Sequence, residues 1–367
     1  MKIAPTTLSR LLLMILLAFG GTVVAYTGSP MLDELVADGL LPPVDKRLPT
    51  PPRVLDIEGD GLEPGHHGGE IRLLMGRSKD VRLMVVYGYS RLVVYNESYE
   101  LVPDLLRSID NEDDRVFTFH LRSGHKWSDG HPFTSEDFRY YWEDIATNSD
   151  LSPLGVPQSF VVNGELPTVE VIDDTTIRYT WPSPNPYLLP QLAASRPLVM
   201  FAPAHYLKQF HNKYADADTL GEMVSNGGHR NWGALHTHLN RPYKNNNVEL
   251  PSLQPWINTT PAPSQRFVFV RNPYFHRVDQ NGHQLPYIDR VLMNIVDGKL
   301  IAAKSGAGES AFNIVGSRAP LIGSWAGAGI RAGRTESSRS SRSGQCLLCV
   351  RRRAGAVADW RVDWLGA

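Results

Sequence analysis

Residues 101–145 read LVPDLLRSIDNEDDRVFTFHLRSGHKWSDGHPFTSEDFRYYWEDI and carry the signals of a strand, a tight turn and a helix in that order. Apolar and polar residues alternate from Arg115 to Arg122, and two of the apolar ones are phenylalanines. Alternation with aromatic enrichment predicts a half-buried strand. The tripeptide at 128–130, Ser-Asp-Gly, supplies turn chemistry, because Asp can bond its own backbone and Gly tolerates a positive φ.

The helix that follows this turn has a recognisable beginning. Thr134 is a good N-cap and Asp137 stands three residues later, which predicts a capping box. Phe133 and Phe138 occupy the positions of a hydrophobic staple. A helical apolar stripe is expected at spacing i, i+3, i+4 and i+7, namely Phe138, Tyr141, Trp142 and Ile145.

This ordered series resembles the family 5 extracellular solute-binding proteins, which are the peptide-, oligopeptide- and nickel-type receptors of ABC importers. The matching elements are a proline-led segment, an acidic turn, the strand, the W-S-D-G turn and the helix start, at 103–105, 111–114, 117–122, 127–130 and 133–137. Further resembling segments keep the family's order from about 68 to about 310, at 68–75, 87–95, 253–256, 272–275 and 285–289.

The resemblance implies an α/β fold of the type II periplasmic-binding-protein kind. Lobe I, a mixed sheet plus an inserted subdomain, is expected at residues 61–290 and largely present. A hairpin at 168–181 with an Asp-Asp turn fits that subdomain. Residues 291–310 are expected to form a crossing strand and the start of lobe II, which is otherwise mostly missing.

Both ends of the chain differ from this body. Residues 1–25 predict a cleaved signal peptide, because Lys2 and Arg10 precede a short apolar run and small residues precede Tyr26. An uncleaved anchor helix is the alternative. No cysteine lies near the cleavage site, so we expect an exported periplasmic protein without a lipid anchor. Residues 26–60 are rich in proline and predict an extended lead-in.

Residues 311–367 form a low-complexity tail of Arg, Gly, Ala and Ser. From Ala311 onward there are nine Arg, no Lys and three acidic residues. Removing these from the 37 basic and 38 acidic residues of the chain leaves 28 and 35, so the body is acidic. A functional tail that binds nucleic acid or anionic lipid is one interpretation. We favour an aberrant, out-of-frame tail with no nucleic-acid partner.

Metal and catalytic motifs are scarce. Cys346 and Cys349 offer two ligands where a structural zinc site needs four. The adjacent His66 and His67 lack a third ligand nearby in sequence. The chain contains no G-x-S-x-G, H-E-x-x-H, P-loop or G-x-G-x-x-G motif. The sequence therefore predicts no metal, no cofactor, no catalytic residue and no enzyme, with a secreted hydrolase-like enzyme on a similar scaffold as the alternative.

The resemblance places ligand in a cleft between two lobes that close like a hinge. The predicted substrate-binding residues are aromatic: Tyr87, Tyr89 and Tyr95, with Trp181 and Trp256 as weaker candidates. Plain core packing is the alternative for each of them. We expect a monomer that captures di- or oligopeptides and delivers them to ABC permease subunits. A nickel complex or another solute is the alternative ligand, and a defective product that binds nothing is a further alternative.

Overall fold

The computed structural model describes residues 25–59, 62–244 and 247–310, together with the backbone of three short strands at 312–315, 350–351 and 361–362. Residues 1–24 of the predicted signal peptide (1–25), and Cys346 and Cys349, lie outside the described residues. So does most of the predicted tail.

Strands are numbered here in chain order. They are β1 Arg53–Leu55, β2 Glu70–Met75, β3 Val93–Tyr95, β4 Leu101–Pro103, β5 Leu106–Glu112, β6 Val116–Leu121, β7 Thr168–Asp173, β8 Thr176–Thr180, β9 Trp256–Asn258, β10 Arg266–Arg271, β11 Arg277–Asp279, β12 Arg290–Ile295, β13 Phe312–Val315, β14 Val350–Arg351 and β15 Arg361–Val362.

The α-helices are short and lie mainly in the middle of the chain. They are α1 Asp33–Ala37, α2 Val44–Arg47, α3 Leu83–Gly88, α4 Ser135–Arg139, α5 Leu188–Ala193, α6 Ala204–Leu207, α7 Ala217–Asn226, α8 Trp232–Leu239 and α9 Ile301–Gly306. Single turns of 3-10 helix lie at Pro30–Leu32, Ser78–Arg82, Gln158–Phe160 and Lys208–Phe210.

A mixed five-stranded sheet in the order β13-β2-β12-β10-β9 forms the base of the molecule. β12 pairs in parallel with β2 and antiparallel with β10. The alternating sequence of β10 buries Phe267 and Phe269 on one face. There they join Met75 and Met293 in an apolar cluster that covers one side of the sheet. Segment 68–75, which resembles the family in sequence, contains β2.

β12 and β13, near the predicted crossing strand and the start of the predicted tail, both belong to this sheet. β12 lies in the middle of the five-stranded sheet, between β2 and β10. The chain then passes through α9 to β13, which pairs in parallel with β2 at the sheet edge. The expected boundary at residue 311 therefore falls before the last strand of this sheet. β14 and β15 pair only with each other.

A second, antiparallel sheet in the order β5-β6-β8-β7 forms the predicted subdomain. In β6, Phe117 and Phe119 are buried as the alternation predicted. β7 and β8 form the predicted hairpin. The largest apolar cluster of the described residues lies beneath this sheet and contains Phe138, Tyr140 and Trp181. The subdomain therefore has its own core.

The capped helix is confirmed at its beginning and differs at its end. The Thr134 side chain accepts from the Glu136 amide, Asp137 accepts from the Thr134 amide, and Phe133 and Phe138 lie 5.6 Å apart. After Arg139 the helix becomes a π-helix, Tyr140–Ala146. The wider turn brings Tyr140 into the core, while Trp142 and Ile145 stay partly exposed. Trp142 and Ile145 still pack against the same core cluster as Phe138 and Tyr141, so the predicted stripe is apolar along its length although the helix type changes.

The proline-rich lead-in is not simply extended. It contains a 3-10 turn, α1 and α2. Pro30 stands at the first position of the 3-10 turn and Pro43 is the N-cap of α2, where the missing amide proton costs nothing. β1 then pairs in parallel with β11, so this segment is part of the folded body.

Candidate functional site

The carboxyl ends of the parallel strands form one edge of the five-stranded sheet. β2 ends at Met75 and β12 at Ile295, side by side. In open α/β sheets, ligands bind outside the carboxyl ends of the strands. The chain leaves β2 through the exposed Arg77 and enters the 3-10 turn Ser78–Arg82, which carries the exposed Lys79 and precedes α3. We call this edge, with segments 87–91 and 253–256, the candidate wall.

Tyr87 and Trp256 come together in the candidate wall. Both belong to the apolar cluster that packs α3 onto the sheet. Tyr87 is 9% exposed and Trp256 is 4% exposed. The Trp256 indole N–H donates to the carbonyl of Ile288 at 3.0 Å. Only a small part of either ring therefore reaches the surface of the described residues.

Tyr89 follows α3 in the left-handed region, at φ 42°. This conformation is strained for a residue other than glycine, and such strain is often found at ligand sites. The Tyr89 hydroxyl donates to the carbonyl of Ala193 at 2.8 Å, and burial raises the pKa of this phenol. Tyr95 on β3 is half-buried, and its amide lies 3.5 Å from the Tyr89 hydroxyl. Tyr89 and Tyr95 are thus neighbours.

A buried carboxylate fixes this strained segment. Asp104 has no exposed surface and accepts two bonds from the Arg277 guanidinium, at 2.8 and 2.6 Å. His276 Nε2 and the Arg91 amide also donate to it. Burial alone would raise the pKa of Asp104, but Arg277, His276 and Arg53 hold it well below its usual value. Arg277 also donates to the Tyr89 carbonyl at 2.7 Å, so the network sets the backbone of the candidate wall.

Arg91 provides a second anchor for the same segment. Its guanidinium is buried and donates to the carbonyls of Val85, Ser90, Ala194 and Ser195. Burial lowers the pKa of Arg91 to about 10, while Tyr89 and Asp104 act to raise it. Arg91 therefore ties segment 87–91 to α3 on one side and to the residues after α5 on the other.

Trp181 is placed elsewhere. It follows β8 in the subdomain, and its ring meets Phe117 at 5.8 Å. Its indole N–H donates to the carbonyl of Phe160 at 2.9 Å, and it has no exposed surface. Trp181 offers no face to a ligand in this structure, because its aromatic surface and its one donor are both used in the subdomain core. The expectation that it lines the binding site is corrected accordingly.

Sequence reasoning missed two polar residues of the candidate wall. Within the described residues, Ser90 Oγ and Gln254 Oε1 are buried and have no hydrogen-bond partner. The Gln254 amide nitrogen donates to the Ser90 carbonyl at 3.1 Å. A Cβ at Gly88 would lie 2.8 Å from Gln254 Oε1, so only glycine lets the two segments approach so closely. The resemblance at 253–256 had singled out only its aromatic residue.

His66 and His67 do not belong to the group of possible metal ligands found among the described residues. His67 Nε2 lies 2.7 Å from the carbonyl of Gln284, and burial lowers the pKa of His67. Among the described residues, the group able to hold a metal ion is instead Asp129, His131 and His205, in the subdomain. Local sequence could not reveal it, because His205 lies 76 residues beyond Asp129.

No helix among the described residues has both the length and the apolarity to cross a membrane. The sheet, the inserted subdomain and the candidate wall define a solute-binding protein with the periplasmic-binding-protein fold. The profile of the Bacterial extracellular solute-binding proteins, family 5 Middle, matches residues 100–320, more than half of the chain. The chain belongs to this family, whose members bind substrates and are not enzymes.

Two curated relatives illustrate the range of the family. The periplasmic alpha-galactoside-binding protein of Rhizobium meliloti (strain 1021) is 30% identical over 284 residues, which are 71% of this chain and 37% of that protein. The periplasmic oligopeptide-binding protein OppA of Escherichia coli (strain K12) is 32% identical over 139 residues, which are 35% of this chain and 25% of that protein.

Solved structures give the same picture. An oligopeptide-binding protein OppA superposes with a TM-score of 0.71 at 35% identity, covering 80% of this chain and 45% of that chain. The periplasmic binding protein MelB of Agrobacterium fabrum C58, solved with stachyose, superposes with a TM-score of 0.62 at 27% identity, covering 79% and 44%. This chain therefore spans less than half the length of these proteins.

Proposed function

We propose that this chain contributes lobe I of a periplasmic substrate-binding component of an ABC importer. Its ligand is a peptide of the di- or oligopeptide class, and its partners are the permease subunits of the importer. The observation that carries the proposal is the superposition on an OppA at 35% identity over 80% of this chain. Export is tested by the mass of the secreted protein, which is expected to match a chain that begins at Tyr26. A mass that includes residues 1–25 would contradict cleavage of the signal peptide.

The candidate wall suits a peptide for two reasons. Tyr87 and Trp256 belong to one cluster in the candidate wall, and each keeps a small exposed part. Aromatic faces offer apolar contact to peptide side chains of different shapes. The exposed cations Arg77 and Lys79 follow the carboxyl end of β2, where they can attract a peptide carboxylate. Both features act by binding and require no covalent step.

An α-galactoside is the second candidate ligand, and one observation favours it. The match to the alpha-galactoside-binding protein covers 71% of this chain, against 35% for the match to Escherichia coli OppA. Aromatic faces combined with amide and hydroxyl groups also suit a sugar. A neutral oligosaccharide, however, gains little electrostatic attraction from Arg77 and Lys79. The charge of the ligand therefore distinguishes the two candidate ligands.

The test joins residues 26–315 of this chain to the second lobe of Escherichia coli OppA, and titrates the chimera and the full chain with tri- to pentapeptides and with stachyose. Because one wall gives only part of a cleft, we expect no thermal shift for the full chain alone. We expect the chimera to be stabilised by peptide, by about 2.7 kcal/mol at a concentration of one hundred times Kd. A response to stachyose alone would establish the second candidate.

Variants of the chimera locate the site. Tyr87→Ala is expected to weaken peptide binding at least tenfold, and Tyr87→Phe to keep most of the affinity, because the ring supplies the apolar contact. Tyr187→Ala is the matched control, since this tyrosine is 70% exposed at the start of α5.

Mass spectrometry of the peptides after incubation tests the hydrolase alternative. If the protein cleaved peptides, and a candidate-wall variant that no longer binds peptide did not, the proposal that the protein only binds its ligand would be contradicted.

A further inference from the structure

Three side chains that could bind a metal ion meet where the turn at 127–130 and the residue after it approach α6. Asp129 Oδ2 lies 2.7 Å from His205 Nε2 and 3.8 Å from His131 Nδ1. The two imidazole rings are stacked, with centroids 4.2 Å apart and planes 8° apart. One ligand atom from each of the three residues lies within 4.8 Å of the other two.

The segments that carry these side chains are fixed by one buried carboxylate. Asp137 accepts from the Trp127 indole N–H at 3.1 Å and from the Thr134 amide at 3.0 Å, on either side of the turn. It also accepts from the Ala204 amide at 3.0 Å, directly before His205. Because a single side chain holds both segments, the spacing between the turn and α6 is set before any ion binds.

The carboxylate of Asp129 is itself oriented. Its Oδ1 accepts from the backbone amide of His131 at 3.1 Å, which leaves Oδ2 directed toward the histidines. This orientation presents Oδ2 to an ion bound between the two imidazoles.

We propose that Asp129, His131 and His205 form a binding site for a divalent transition-metal ion, with Zn²⁺ as the preferred occupant. Two imidazoles and one carboxylate are a common zinc ligand set, at metal–ligand distances of about 2.0–2.2 Å. The His131 side chain is 60% exposed and can rotate away from the stacked arrangement to direct a nitrogen at the ion. Solvent completes the coordination, because the cluster lies at the surface.

Zinc at this position links the W-S-D-G turn to α6. The turn also contacts the chain before the candidate wall: the Ser128 amide donates to the Ser252 carbonyl at 3.1 Å, and the Ser252 amide donates to Ser128 Oγ at 2.9 Å. The ion therefore stabilises the subdomain on the side where segment 253–256 begins. It takes no part in solute binding itself.

The test uses the full chain with Cys346→Ser and Cys349→Ser, because these thiols could hold zinc independently. Zn²⁺ is titrated against a chromophoric chelator at pH 7.5, and we expect one equivalent to bind. His131→Ala and Asp129→Asn are each expected to weaken the affinity at least tenfold. His131→Ala is the most informative variant because this side chain is exposed and its loss leaves the Asp129–His205 bond in place.

His120→Ala is the matched control. His120 and Asp110 form a similar His–Asp pair at 2.8 Å on the subdomain sheet. Neither residue belongs to the group of three possible metal ligands found among the described residues. Its loss is expected to leave zinc affinity unchanged. Circular dichroism verifies that each variant is folded. Absence of zinc binding, or equal affinity in His131→Ala and the parent, would overturn the proposal. Loss of zinc binding in a His229→Ala variant alone would also overturn the proposal, because His229 contacts His238 and is not part of the proposed site.

Discussion

Asp104 is the residue on which the backbone of the candidate wall depends most. It is fully buried and bonds Arg277, His276 and the Arg91 amide. We expect Asp104→Asn to lower the free energy of unfolding by about 3–5 kcal/mol, because the change leaves the buried Arg277 charge without its partner. Urea unfolding measures the loss.

Asp110→Asn is the control for this prediction. Asp110 pairs with His120 on the surface, where a substitution usually changes stability by about 0.5 kcal/mol or less. If Asp104→Asn cost no more than Asp110→Asn, the charge network would not be what holds segment 87–91 in place.

Buried neutral histidines predict how stability depends on pH. Burial lowers the pKa of His276 to about 4 and that of His236 to about 3, and holds that of His125 well below 6.5. Below pH 6.5 the unfolded state therefore binds more protons than the folded state. Their contribution to stability is complete above pH 6.5 and is lost as the pH falls toward 4.

We expect His276 and His236 each to lower the free energy of unfolding by up to about 1.4 kcal/mol per pH unit between about pH 6 and pH 5. Asp137 acts in the opposite sense in this window, because burial raises its pKa to about 6. Urea titrations at several pH values measure the slope. His236→Gln, which can still bond the Tyr140 hydroxyl, should remove the contribution of His236, up to about 1.4 kcal/mol per pH unit. An unchanged slope in this variant would show that His236 is protonated in the folded state.

Single residues also show the limit of sequence reasoning about the site. Tyr87 and Trp181 are both aromatic residues beside predicted elements, yet one lies in the candidate wall and the other in the subdomain core. Periodicity predicts which side of a strand is apolar, but not which core that side joins. The unpartnered groups of Ser90 and Gln254 carry no sequence signal, because burial depends on contacts 164 residues apart.

At the scale of elements, the start of α4 tests how much local sequence decides. Thr134→Ala is expected to lower the free energy of unfolding by about 1 kcal/mol, because the Glu136 amide loses its capping acceptor. Thr134→Ser keeps the hydroxyl and should cost only a few tenths of a kcal/mol. Urea unfolding of the two variants decides the matter: equal losses would mean that the threonine methyl, not the cap, stabilises this turn.

Elements were predictable where short-range chemistry determines them. The strand at 116–121, its turn and the capping box follow from neighbouring residues. The π-helix after Arg139 did not follow, because its extra residue per turn is fixed by distant partners. Tyr140 bonds His236, and Asp144 receives bonds from Lys213 and Tyr214. Tertiary contacts of this kind override the 3.6-residue period.

At the scale of the whole molecule, the family resemblance predicted the fold class and the inserted subdomain. Strand order was beyond the sequence, because pairing of β2 with β12 joins segments more than 200 residues apart and residue patterns do not encode that partner. The same separation hid the grouping of Asp129 with His205. Strand pairing and clusters of distant residues are therefore where the structure adds most to the site.

Hydrogen–deuterium exchange of the chimera, with and without bound peptide, locates the bound solute. We expect slower exchange on peptide binding in segments 76–95 and 253–256, and unchanged exchange at β6 and at Trp181 in the subdomain core. Protection confined to the subdomain sheet, with no change at the carboxyl edge of β2, would contradict the placement of the solute against this wall.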